Sequence, residues 1–157
     1  MKRARGYTLI ELLVVLAVLG LLVGIAMPLA EVTVQREKER ELKRDLWELR
    51  DAIDAYKRAR VAGMLPGVGD MTPYPASLEV LTQVQADGRP GHQGEILRFL
   101  RRIPRDPFAD PSVSPEKSWG LRSYESDAEH PQAGDNVYDV YSRSSGVGLN
   151  GVPLNQW

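Results

Sequence analysis

The chain has 157 residues, a formal charge of −1 at neutral pH and no cysteine. That length holds one small domain with a modest core beside one long helix. The missing cysteine excludes disulfides and thiolate metal sites, and the near-neutral balance offers no basic surface for nucleic acid.

Residues 1–6, MKRARG, form a basic leader that stops at Gly6. YTLIE follows, and Leu12–Ala30 then runs for 19 residues without a charge. A secretory signal would place small residues and a cut after its apolar core. Here Ala30 is succeeded by EVTVQREKERELKRD, a charged stretch of helical character. The expected cut is therefore at the leader, which carries off Lys2, Arg3 and Arg5, leaves −4 and keeps the apolar segment.

As a helix, Leu12–Ala30 measures about 28 Å at ~1.5 Å per residue, close to the ~30 Å hydrocarbon thickness. Twelve of its residues are Leu, Ile or Val. Together they favour insertion by about 4–7 kcal/mol, more than the roughly 2.5–3.5 kcal/mol cost of one central charge. The predicted span is a single pass, with the basic leader in the cytoplasm and the remainder outside.

Glu11 is the one charge at the mouth of this segment. It stands one helical turn from Tyr7, where a freed amine would appear after cleavage. A carboxylate near hydrocarbon needs a partner, and an ammonium supplies one. The residues themselves leave interfacial, intramolecular and intermolecular roles open. Gly20, Gly24 and Pro28 recur every four residues and share one helical face. Small residues at that spacing allow close helix approach. The Pro28 ring crowds the Gly24 carbonyl and predicts a bend.

Gly6, Tyr7, Thr8, Leu9, Ile10 and Glu11, followed by the apolar helix and Pro28, resemble the type IV prepilin signal shared by pilins and type II secretion pseudopilins. The resemblance implies a membrane prepilin peptidase that cuts after Gly6 and methylates the new amino terminus at Tyr7. That position is usually phenylalanine, so Tyr7 departs from the pattern while keeping an aromatic ring. The resemblance also implies that Glu11 pairs with the amine of a neighbouring subunit during assembly. Implied partners are the peptidase, copies of the chain, other pilin-like subunits and an inner-membrane assembly platform. No cofactor is implied. Type IVa pilins often close a C-terminal loop with a disulfide, so a chain without cysteine leans toward a pseudopilin.

From Gln35 to Arg60 the pattern is amphipathic. Leu42, Leu46, Leu49, Ile53 and Tyr56 fall on one stripe, with Glu39–Lys43 and Asp54–Arg58 at pairing distance. The stripe is expected to pack on this protein's own sheet. Neither glycine nor proline interrupts Leu29–Ala62, so one helix of ~54 residues and about 80 Å is predicted from Tyr7 to Arg60.

Gly63–Pro75 ends that helix in a glycine- and proline-rich loop. Ser77 is the expected N-cap of a short helix carrying Leu78 and Leu81. Glu95–Arg102 is expected to form another, with Arg98, Arg101, Arg102 and Arg105 on a solvated basic face. Trp119–Glu125 and Val137–Ser142 read as an antiparallel hairpin closed over Ser126–Asn136, its buried face on the stripe. The tail is expected to be a loop, with Val152 and Leu154 in a last short pairing.

The later segments resemble G-type major pseudopilins: DPF at 106–108, Trp119–Gly120, YDVYS at 138–142 and Asn155–Trp157. The resemblance implies a calcium loop built from acidic side chains after YDVYS. This chain has Ser144, Ser145, Asn150 and Asn155 there and no carboxylate after Asp139, so no metal is expected.

No catalytic constellation is present. His92 and His130 sit in polar loops, and Asp127, Glu129 and Asp135 have no ligand partner at metal spacing. The expectation is α+β: a leader (1–6), a membrane and assembly helix (7–30), its amphipathic continuation (31–62) and a small periplasmic domain (63–157). The implied function is that of a non-enzymatic subunit of a type II secretion pseudopilus or a pilus-like filament. The alternatives are a minor pilin of a type IV or DNA-uptake filament, or an anchored periplasmic protein that never polymerises.

Overall fold

A computed structural model describes residues 7–65, 72–92, 94–127 and 129–157, with the side chains of 24–30 left out. The chain divides into two compact units, Met1–Glu37 and Lys38–Trp157.

Helix α1 spans Leu9–Val61, 53 residues, and its helical backbone continues through Pro28. It stops where the glycine predicts. Gly63 is left-handed at φ 71°, the Met64 N–H reaches the Ala59 carbonyl at 2.9 Å, and the Gly63 N–H reaches that of Arg60 at 3.1 Å. These two bonds are a Schellman closure, which satisfies carbonyls the helix leaves open.

In the second unit the predicted stripe is the core. Leu42, Leu46, Leu49, Ile53 and Tyr56 are buried together with Ala52 and Ala59, in one cluster with Trp119, Val137, Val140 and Leu154. Along α1, Arg58 lies 3.8 Å from Asp51, and the Glu39 carboxylate accepts the Leu149 N–H at 2.7 Å.

Helix α2, Leu78–Thr82, buries Leu78 and Leu81. Ser77 stands at its N-cap in extended geometry but makes no side-chain cap bond. The helix expected at Glu95–Arg102 is instead strand β2 (Ile96–Leu97), paired antiparallel with β1 (Gln85–Ala86). Gly94 at φ 96° opens the strand with a turn that no helix start would use. The Leu100 N–H goes to the Leu81 carbonyl at 2.9 Å rather than to its own segment.

Helix α3 (Pro115–Ser118) leads directly into β3 (Trp119–Arg122), which pairs antiparallel with β4 (Asp139–Ser142). The hairpin is real but shorter than predicted. Beyond Arg122 the chain turns away, and the Asn136 side chain takes the Tyr124 N–H at 2.9 Å. Trp119 opposite Ser142 and Leu121 opposite Val140 share one face, and Trp119, Val140 and Ser142 are buried. On the other face Tyr141 lies across Gly120, where any side chain on residue 120 would collide with the ring. Asp106 of the DPF turn is buried and accepts from the Phe108 N–H at 2.8 Å and the Ser142 hydroxyl at 2.6 Å, tying that turn to β4. The predicted pairing in the tail is a bridge between Val147 and Pro153, and Leu154 opens a 3-10 turn, Leu154–Gln156.

Candidate assembly site

The first turn of α1 carries a reciprocal pair of bonds. The Glu11 N–H donates to Thr8 Oγ1 at 3.3 Å, and the Thr8 N–H donates to Glu11 Oε2 at 3.4 Å. Thr8 is the residue before Leu9, and Glu11 is the third of the helix. This is a capping box, in which two donors that the helix start leaves open are satisfied by each other's side chains. A carboxylate there also meets the positive end of the helix dipole. The T-x-x-E signal stands in the sequence, yet the reading of Glu11 as an ion-pair partner passed over it.

Every described side chain from Tyr7 to Val23 is exposed, most of them apolar. Such a surface exceeds what a soluble monomer presents and marks a face built for lipid or protein. Gly20 belongs to it and has open space where a side chain would stand. Gly6 lies outside the described residues, as do the side chains at Gly24 and Pro28, so the proposed packing face is seen only at Gly20. Among the described residues no helix is long and apolar enough to cross a membrane. The predicted span Leu12–Ala30 falls partly outside them.

In the second unit, α1 holds the tail through two side chains. Glu39 takes the Leu149 N–H, as above. Arg50 Nε lies 2.8 Å from Asp139 Oδ1, and its Nη2 donates to the carbonyls of Val140 (3.1 Å) and Trp157 (2.8 Å). The tail's own polar groups are spent on its turns: Ser144 Oγ accepts the Gly146 N–H and Asn150 Oδ1 accepts the Val152 N–H. The calcium implied by the resemblance does not fit this set. The loop's side-chain oxygens are neutral, those of Ser144 and Asn150 already serve main-chain donors, and the Glu39 carboxylate that reaches the loop does the same.

Two other groups bring three ligand types together, with ligand atoms within 4.8 Å: Asp87, His92 and Glu95, and Asp127, Glu129 and His130. The second corrects the expectation that these loop acids lack a histidine partner. Neither is a convincing cage. The Asp87 carboxylate is gripped by Arg89, with contacts from 2.6 to 3.1 Å, and these bonds hold its pKa down at about 2. The second triad is wholly exposed.

Asp45 stands beside the stripe on α1, where a charged residue would be expected to be solvated. It is buried instead, 7% exposed in its side chain, with Arg44 Nε 3.6 Å from Oδ1. Burial pushes its pKa up to about 6, against a smaller downward pull from Arg44.

The family described as prokaryotic N-terminal methylation motif matches residues 1–27. Type II secretion system core protein G of Klebsiella pneumoniae is 29% identical over 111 residues, 69% of this chain and 71% of that protein. Its namesake from Dickeya chrysanthemi is 26% identical, covering 68% of this chain and 65% of that protein. The one from Vibrio cholerae is 26% identical, covering 70% and 69%. No solved structure gives a significant match. The methylation motif at one end and these relatives over two thirds of the chain point the same way: the chain is similar to type II secretion system core protein G.

Proposed function

We propose that this chain is a structural subunit of a type II secretion pseudopilus, made as a precursor, cleaved after Gly6 and polymerised through α1. It is not an enzyme. The reading is carried by the exposed apolar side chains of Leu9–Val23, which lie within the matched methylation motif and enclose a single carboxylate. Before assembly that surface lies in the inner membrane, with the leader cytoplasmic and the second unit periplasmic. After assembly the same surface lies against the helices of other subunits, so hydrocarbon is exchanged for protein at little net cost.

Glu11 gives the exchange its register. In the single chain its carboxylate rests on the Thr8 N–H; in the filament it neutralises the terminal amine of a neighbour, a stronger bond in a dry setting. Gly20, Gly24 and Pro28 supply the close approach and the bend. Co-production with a prepilin peptidase tests the reading. Intact-mass spectrometry should show a chain beginning at methylated Tyr7, and Gly6→Val should block the cut. An unprocessed N-terminus in both cases would refute it.

A further inference from the structure

We propose that the face shared by α1 and the tail in the second unit is a docking site for an acidic peptide segment of another protein. It takes a carboxylate and the apolar side chain next to it. The inference does not depend on the filament reading above.

Trp47 stands on α1 one residue beyond the buried stripe and is 76% exposed. Tyr56, nine residues on along the same helix, is buried. An indole left in water withholds a large apolar area, and tryptophan is enriched where partners anchor. The exposure is not isolated. Val147, Leu149 and Val152 of the tail are exposed as well.

Beside Trp47 lies a cavity of about 220 Å³, lined by Lys43, Leu46, Trp47, Arg50, Asn150 and Trp157. Its lining holds two cations and no carboxylate. Arg50 is engaged with Asp139, Val140 and Trp157, so Lys43 is the charge free to turn toward a ligand. The Lys43 ammonium stands over the Trp157 ring, 4.4 Å from its centroid. That contact fixes the charge at the cavity wall without using up its three donors. On the tail side Gly148 approaches the same ring so closely that a side chain there would collide with it. The wall is therefore held in place before any ligand arrives, which lowers the ordering cost of binding. Trp157 Nε1 is buried with no acceptor among the described residues. A buried donor left unmet is costly, and an oxygen brought in against this ring would relieve that cost.

Charge and size together name the occupant. Cations and an indole N–H around a cavity without an acid complement an anion, and a carboxylate accepts from both kinds of donor. The volume is below the ~300–1,000 Å³ of small-molecule pockets and suits one or two side chains. The exposed Trp47 ring and the tail's apolar side chains extend the site along its rim, where the residue next to the carboxylate would lie. A free inorganic anion would use the cations and leave that rim uncovered. A peptide with an acidic residue beside an apolar one uses both.

The test uses the full chain in detergent and a fluorescently labelled, end-blocked peptide with phenylalanine next to glutamate in a glycine–serine frame. Fluorescence polarisation should report saturable binding. A twin peptide with glutamine for glutamate should bind about ten-fold more weakly. Trp47→Ser and Lys43→Glu should each weaken binding of the acidic peptide by a similar factor. Trp47→Ser should do so at an unchanged melting temperature, because that side chain is exposed. No saturable binding, equal binding of the two peptides, or variants that bind like the wild type would overturn the site. Self-association without peptide that Trp47→Ser abolishes would assign the face to a second copy and overturn it too. Should Lys43→Glu fail to fold, the glutamine twin and Trp47→Ser still decide.

Discussion

The Arg50 side chain on α1 reaches Asp139 on β4 at 2.8 Å and, with a second nitrogen, the Trp157 carbonyl at the same distance. One guanidinium thus fixes helix, sheet and tail. Its planar fork is what allows three acceptors to be met at once.

Arg50→Ala should therefore cost about 2 kcal/mol, the scale of hydrogen bonds to a charged group reduced by partial exposure. Arg50→Lys should recover little of it, because an ammonium cannot span the three acceptors. Chemical denaturation of the two variants, with full recovery in the lysine form counting against this account, is the measurement.

Asp45 makes stability depend on pH in the less common direction. Its folded pKa, about 6, lies above the ordinary 3.8, so the folded state holds the proton more tightly. Stability is then greatest below pH 4 from this group and falls as pH rises toward 6, beyond which the loss is complete. Asp45→Asn should remove that slope and be more stable than the wild type at pH 7, by roughly 1–3 kcal/mol. Thermal melts from pH 4 to pH 7 test it. Parallel curves for the two proteins would mean that Asp45 titrates normally.

Glu11→Gln separates the cap from the charge. Glutamine serves the third position of a capping box as well as glutamate does, so the first turn of α1 should persist. Cleavage and membrane insertion should also continue. Filament yield should nevertheless collapse, because an amide cannot neutralise a neighbour's amine. Shearing assays on cells making only the variant report this, and wild-type yield would reduce Glu11 to a cap.

Calcium should make little difference to the second unit. A ligand at 100 times its dissociation constant adds about 2.7 kcal/mol to the folded state. Melting of the detergent-solubilised chain in chelator and in millimolar calcium should show no shift of that size. A shift that large would mean that the tail's oxygens do reorganise around an ion.

The stripe on α1 was legible because burial there follows the helical period, so spacing alone names Leu42 through Tyr56. The end of α1 was legible because Gly63 is needed where it stands. Strands β1 and β2 were not: two residues each, they exist only through backbone pairing across a loop, and Ile96 and Leu97 have no pattern of their own. Asp45 escaped because a charged residue beside a stripe reads as solvated until the 102–105 segment is known to cover it. Of the proposed assembly site, Gly6, Tyr7 and Glu11 are named by their order along the chain alone. The Thr8 hydroxyl was missed although its partner, three residues on, was in hand.

The bonds from Glu39 to Leu149 and from Arg50 to Trp157 join residues 110 and 107 positions apart. Such distant closures form late and slowly in folding. As the chain emerges from its N-terminus onward, α1 comes first and keeps its leucine stripe uncovered until the final segment arrives. The second unit is thus completed by its last residues, and the growing chain passes through an interval of open core in which sticking to other chains is its main hazard.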